Sequence, residues 1–182
     1  MKYEAVLFDL DGTLVDTIPY WQDAYLETLE DHGVHMEPEE FIHVSYVLNR
    51  SLPDTLKHLG LENTVDIGEF RRQRDERYCD LLRKHTEWIT GAEEVLQKLH
   101  EIMPLGIVTG SWRHYVDAIA EKLDFKHYFD VIIDANAMDN AKKMKPDSYG
   151  LFLAAKELGV DSTRCVYVGD LHIDVVAANH AM

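Results

Sequence analysis

Apolar residues fall along this chain in two patterns, short unbroken runs and longer periodic stretches. Ala5-Val6-Leu7-Phe8 is the first unbroken run, and it stops abruptly at Asp9. Four consecutive apolar residues bounded by turn formers predict a buried strand. From Trp21 the period changes. Trp21, Ala24, Tyr25 and Leu29 recur at helical spacing, and the stretch ends near Gly33. Phe41, Val44 and Leu48 mark a second helix opened by Pro38. Ser51 and Asp54 read as a capping box for a short third helix closed by Gly60. Asp66 with Glu69 caps a longer fourth helix. Its stripe is Ile67, Phe70, the aliphatic stem of Arg74, Tyr78, Leu81 and Leu82.

Unbroken runs then return at Leu105–Thr109, Val131–Ile133 and Cys165–Gly169. Helical stretches separate them. Thr90-Gly91-Ala92-Glu93 reads as a capping box opening one with Val95, Leu96 and Leu99, stopped by Pro104. Tyr115, Val116, Ile119 and Leu123 form the next. Phe152 and Leu153 lie on a third that ends at Gly159, and a last helix begins near Ile173. Strands alternating with helices predict a parallel sheet, and the lack of strict alternation within the strands fits a sheet covered on both faces. The expected architecture is α/β, a Rossmann-like parallel-sheet core formed by residues 1–16 and 89–182. An inserted helical-bundle cap occupies residues 17–88. The insert leaves directly after the first strand, so it is expected over the carboxyl edge of the sheet as a lid. Its hinges would be near Thr17-Ile18-Pro19 and Glu87-Trp88-Ile89.

A length of 182 residues suits such a core with one insert. The net charge of −15 makes nucleic acid and anionic membrane poor partners. An anionic substrate would need positive potential focused locally. Cys79 and Cys165 are too far apart in sequence for a metal-like spacing, which speaks against a disulfide framework or zinc site. No long apolar segment or signal-peptide pattern is present, so a cytoplasmic location is the expectation.

Chemistry concentrates where the unbroken runs stop. Asp9 follows the first strand and Asp11 lies in the loop leaving it, next to Gly12. Ligands of open α/β sheets bind at that end of the strands. Two adjacent carboxylates repel, and a divalent cation such as Mg2+ would offset the charge. The plain alternative is a strand followed by an Asp-Gly turn. A calcium loop fails on spacing, because its required glycine and glutamate positions hold Leu14 and Tyr20. Thr109-Gly110-Ser111 ends the second strand with a hydroxyl and a glycine, an arrangement that can cradle phosphate or simply turn the chain with Ser111 as a helix cap. Lys145 precedes Pro146-Asp147, where a helix is expected to begin. Asp170 follows the fourth strand, and Asp174 comes four residues later.

Taken in order, Asp9-Leu10-Asp11-Gly12-Thr13, Thr109-Gly110, Lys145-Pro146-Asp147 and Gly169-Asp170 through Asp174 resemble the four motifs of the haloacid dehalogenase-like (HAD) superfamily. The helical insert is similar to the cap of its phosphoglycolate phosphatase and beta-phosphoglucomutase-like branch. The resemblance implies a Mg2+-dependent phosphomonoester hydrolase acting on a small phosphorylated metabolite through an aspartyl-phosphate. Asp9 would be the nucleophile and Asp11 the general acid and base. Thr109 and Gly110 would bind phosphate, and Lys145 would offset charge on nucleophile and phosphate. The metal would be held by Asp9, Asp170 and the backbone carbonyl of Asp11, with Asp174 supporting that shell through water or through Lys145. Haloalkanoate dehalogenases of the superfamily lack a carboxylate equivalent to Asp11, so its presence favours phosphate chemistry.

Two other functions share these motifs, a phosphomutase of the beta-phosphoglucomutase type and a non-catalytic relative that binds a phosphorylated ligand. Relatives usually continue through at least one more strand, so the last core strand or strands are expected to be missing and the fourth strand to be a sheet edge. Tyr20, Trp21, Asn49 and Arg50 are candidate substrate contacts from the insert. Arg71, Arg72, Arg74 and Arg77 read instead as a solvated, salt-bridged face, and His114 and His172 as surface residues. Oligomeric state is left open by the sequence.

Overall fold

The computed structural model describes residues 2–47, 51–138 and 143–182, with backbone alone at 45–47. The chain divides into two compact units, Met1–Thr17 with His85–Met182, and Ile18–Lys84.

The first unit is built on a four-stranded parallel sheet. Its strands are β1 (Ala5–Phe8), β4 (Leu105–Val108), β5 (Val131–Ile133) and β6 (Cys165–Val168). Their order across the sheet is β5-β4-β1-β6. Phe8 pairs with Ile107 on one side and Val168 on the other, and Val108 pairs with Ile133. Parallel pairing in this register brings all four carboxyl ends to one edge, within a residue of each other. Side chains in a strand alternate between faces. Ala5 and Leu7 face a core shared with Leu151, Ala154 and Ala155 of α7 (Tyr149–Leu158) and Ala177 and Ala181 of α8 (His172–Ala181). Phe8 points to the opposite face, where its ring meets Phe129 at 6.3 Å. Two further α-helices of this unit are α5 (Ala92–His100) and α6 (Arg113–Lys122). β6 lies at an edge of the described sheet, as the sequence leads one to expect.

Gly106 shows how tightly the sheet is packed. A Cβ there would lie 2.7 Å from Leu7 Cδ2 and 2.8 Å from Val131 Cγ1. Gly106→Ala is therefore expected to cost about 1–3 kcal/mol by overpacking and to lower the melting temperature by about 3–10 °C. An unchanged thermal midpoint would contradict this packing.

A short antiparallel ribbon, β2 (Val15–Asp16) with β3 (Glu87–Trp88), was not legible in the sequence. It ties the two chain segments that flank the insert. The sequence reading places Glu87-Trp88 in a hinge and Val15-Asp16 at the end of the core segment just before the other hinge, and two-residue strands carry too little pattern to read.

The second unit is helical among its described residues. It comprises α1 (Ile18–Asp31), α2 (Pro38–Phe41), a π-helical segment (Ile42–Val47), α3 (Leu52–His58) and most of α4 (Ile67–His85). Its core holds Tyr25, Leu29, Phe41, Leu56 and Phe70, and the Tyr25 and Phe41 rings lie 4.9 Å apart. Trp21, a candidate substrate contact by sequence, packs its ring 5.1 Å from Phe41.

Several local expectations need correction. α2 gives way to π-helical geometry after Phe41. Thr90 does not cap α5, since the capping position is Gly91. Pro146 sits in a turn, and α7 starts three residues later. Arg74 buries its head as well as its stem, donating to the Tyr25 hydroxyl at 2.6 Å and pairing with Asp75. Arg72 does form the expected exposed pairs, with Glu69 and Glu76. The capping roles of Ser51 and Asp66 are as read, with bonds to the Asp54 and Glu69 amides.

Candidate active site

Each motif residue enters the site from the carboxyl end of a strand. Asp9 follows β1 directly. Its amide is fixed to the Val168 carbonyl at 2.8 Å, which anchors it between β1 and β6. Its side chain is buried, with Oδ1 accepting from the Leu10 amide at 2.9 Å and Oδ2 lying 2.9 Å from Lys145 Nζ. Burial in this pocket pushes the Asp9 carboxyl up to about 7, against the pull of the Lys145 ammonium. Asp174 and Asp11 push in the same direction as burial.

Lys145 enters from the segment before α7. Its Nζ donates to Asp174 Oδ1 at 2.6 Å and to the Tyr167 hydroxyl at 2.9 Å, besides Asp9. Burial alone would lower its pKa, but the Asp9 and Asp174 charges outweigh burial and hold it above the ordinary lysine value. It is a fixed cation in a buried acidic setting.

Asp174 lies in the first turn of α8. Its Oδ2 accepts from the Leu171 amide at 2.9 Å, which holds the turn, while Oδ1 faces Lys145. Gly169 makes room for this. A Cβ at that position would stand 2.5–2.7 Å from the Asp174 side chain. Asp170, exposed after β6, accepts from the Thr13 hydroxyl at 3.1 Å.

Asp11 is set by hydroxyls. Thr17 donates to Oδ1 at 2.7 Å, and Ser111 and Thr109 donate to Oδ2 at 2.6 and 3.2 Å. The Ser111 amide in turn donates to Thr109 Oγ1 at 3.0 Å, so the threonine hydroxyl is oriented with its proton toward Asp11. Gly12 adopts a left-handed φ of 76°, which turns the loop back so that its amide reaches the Val15 carbonyl at 2.9 Å. Gly110 lies exposed in the turn after Thr109.

The structure thus brings Asp9, Asp11, Thr109, Gly110, Lys145, Asp170 and Asp174 to one sheet edge. Arg50 and Asn49 lie outside the described residues. Oxygens of Asp9, Asp170 and Asp174 all lie within 4.8 Å of one another. Carboxylate oxygens without histidine or thiolate suit a hard divalent cation such as Mg2+. The Asp11 carboxylate is not in that group, because its oxygens are turned to the three hydroxyls.

Residues 6–182 match the family model described as haloacid dehalogenase-like hydrolase. The chain belongs to the haloacid dehalogenase-like hydrolases. The fructose-1-phosphate phosphatase YqaB of Escherichia coli (strain K12) is 27% identical over 180 residues, spanning 99% of this chain and 93% of that protein. A phosphoglycolate phosphatase of Xanthomonas campestris pv. campestris is 31% identical over 185 residues, spanning 97% of this chain and 79% of the relative. Among solved structures, the family IA, variant 3 HAD hydrolase of Entamoeba histolytica superimposes with a TM-score of 0.83 at 25% identity. That superposition covers 98% of this chain and 80% of the other. The chain is a phosphatase of this family.

Three side chains of this cluster are not legible as such in the sequence. Ser111 reads as a helix cap, but Trp112 takes the capping position and the serine hydroxyl goes to Asp11. Thr17 reads as part of a hinge. Tyr167 reads only as part of an apolar strand. The available signal is its hydroxyl, since a tyrosine on a strand covered on both faces needs a partner for that group.

Proposed function

We propose that this phosphatase is a Mg2+-dependent phosphomonoester hydrolase that transfers the phosphoryl group of a small phosphorylated metabolite to Asp9 and then to water. The observation that supports it most is the setting of Asp9, with a carboxylate oxygen 2.9 Å from the Lys145 ammonium and within 4.8 Å of oxygens of Asp170 and Asp174.

Asp9, Asp170 and Asp174, with the Asp11 carbonyl, are the groups on offer to the metal, and Asp174 is partly committed to Lys145. A bound Mg2+ supplies charge neutralisation between Asp9 and the incoming phosphate. Lys145 and the Thr109 hydroxyl stabilise charge on the phosphoryl oxygens in the transition state. An oxygen of Asp9 attacks phosphorus, and the bond to the leaving oxygen breaks. Asp11 gives its proton to that oxygen, then takes one from the water that hydrolyses the acyl phosphate. Thr109 donates to Asp11 in the free site. A phosphoryl oxygen would take over this bond and leave Asp11 Oδ2 with the Ser111 hydroxyl as its remaining donor.

The relatives named for fructose-1-phosphate and phosphoglycolate point to the substrate class, a small phosphate monoester. The test is phosphate release from an aryl phosphate and a panel of phosphorylated sugars and acids. With Mg2+, turnover is expected. Chelator should reduce it by about 100-fold or more, and added Mg2+ should restore it. Equal rates with Mg2+ and with chelator would overturn the metal assignment.

A further inference from the structure

We propose that Tyr167 is a positioning residue, whose hydroxyl fixes the Lys145 ammonium for phosphate binding and turnover. The inference rests on the role given to Lys145 above. An ammonium has three N–H donors and no acceptor. Here the acceptors within reach are Asp9 Oδ2 at 2.9 Å, Asp174 Oδ1 at 2.6 Å and the Tyr167 hydroxyl at 2.9 Å. Two of these are carboxylates near a candidate metal position, and Asp9 is itself the group proposed to accept phosphate. Their partners change during the proposed reaction cycle, whereas the hydroxyl is also held by a backbone carbonyl, that of Val108, which takes no part in it.

The hydroxyl is fixed from outside the acidic cluster. It donates to the Val108 carbonyl at 2.9 Å, the shorter of its two acceptor distances, with Asp174 Oδ1 at 3.2 Å. Tyr167 belongs to β6 and Val108 to β4, and β1 lies between them. The side chain therefore reaches across the central strand to the residue just before Thr109. One oxygen links the lysine, the strand end carrying Thr109 and the strand leading to Asp170. Burial, with the nearby acidic charges, pushes phenol ionisation far up, so the hydroxyl remains a neutral donor.

Tyr167→Phe keeps the ring and removes only this link. It leaves one ammonium N–H and the Val108 carbonyl short of a partner. A hydrogen bond to a charged group is worth about tenfold to a hundredfold in an equilibrium or rate. In the folded Mg2+-loaded protein, kcat/KM is expected to fall about tenfold or more, and the inhibition constant of inorganic phosphate to rise by a similar factor. A purely structural role would lower the melting temperature and leave both constants unchanged well below it.

The decisive comparison adds Tyr167→Phe to Lys145→Met, reading kcat/KM together with the melting shift produced by inorganic phosphate. With the lysine gone, the second substitution should change either readout by less than about twofold. Constants for Tyr167→Phe within twofold of wild type, or equal losses with and without Lys145, would overturn the inference. In those cases a wild type that releases phosphate and an Asp9→Asn variant that does not would still uphold the proposed function. A wild type that hydrolyses none of the panel would overturn both.

Discussion

Asp9→Asn is expected to lower kcat for phosphate-ester hydrolysis by about six orders of magnitude, the scale seen when a nucleophile is removed from a site otherwise intact. The asparagine is isosteric and keeps an oxygen for Lys145 or for the Leu10 amide. Circular dichroism of the variant should match wild type. The same substitution changes how stability depends on pH. Asp9 has a folded pKa of about 7, above the ordinary carboxylate value of 3.8. The folded, metal-free protein therefore holds this proton more tightly than the unfolded chain does. Its contribution lowers stability as pH rises through that interval, reaching a few kcal/mol above pH 7. Asparagine cannot titrate. The melting temperature of wild type minus that of Asp9→Asn should fall steadily between pH 5 and pH 8, whatever constant offset the amide adds. A flat difference would contradict the burial of an ionisable Asp9.

Lys145→Met has the second-largest expected effect and acts on both activity and stability. Loss of the ammonium removes a charge aimed at the phosphoryl oxygens, about 100- to 1,000-fold in kcat. It also leaves Asp9 and Asp174 buried at 5% and 1% exposure without the cation they share. Breaking a buried pair in this way costs about 3–5 kcal/mol near pH 8, a drop of about 10 °C in melting temperature. Lys145 normally pulls the Asp9 pKa down, so its loss moves the carboxyl higher still. As pH falls below 7 the acid takes up its proton and the penalty shrinks. Melting curves at pH 8 and pH 5.5 should show the gap to wild type narrowing at the lower pH. A constant gap would mean that the lysine does not act through the carboxylate.

These two residues were legible in the sequence for different reasons. Asp9 ends an apolar run, and parallel pairing carries every such end to one edge, so Asp9, Thr109 and Asp170 were placed by pattern alone. Lys145 has no such strand. Its position followed from the order of the motifs, and the helix expected to open at Pro146 starts at Tyr149 instead. The supporting groups were harder to see. Thr17, Ser111 and Tyr167 are each a single hydroxyl in a segment whose pattern has a sufficient local explanation: a hinge, a helix start and a strand. Only the fold brings Thr17 and Ser111 to the same Asp11 carboxylate, or Tyr167 across β1 to Val108. Asp134 is a similar case. It is fully buried after β5 and paired with Arg113, and neither residue stands out in the sequence. The helical unit was legible in its caps at Ser51 and Asp66. It was less so at Arg74, where charge suggested solvent and the fold buries the guanidinium against Tyr25.

The most direct measurement is mass spectrometry of the protein quenched in acid during steady turnover of an aryl phosphate with Mg2+. One phosphoryl group is predicted on the peptide that carries Asp9, labile to hydroxylamine and absent from Asp9→Asn. Rapid phosphate release with no acid-stable phosphoryl group on that peptide, or with the label on another residue, would contradict the assignment of Asp9 as nucleophile.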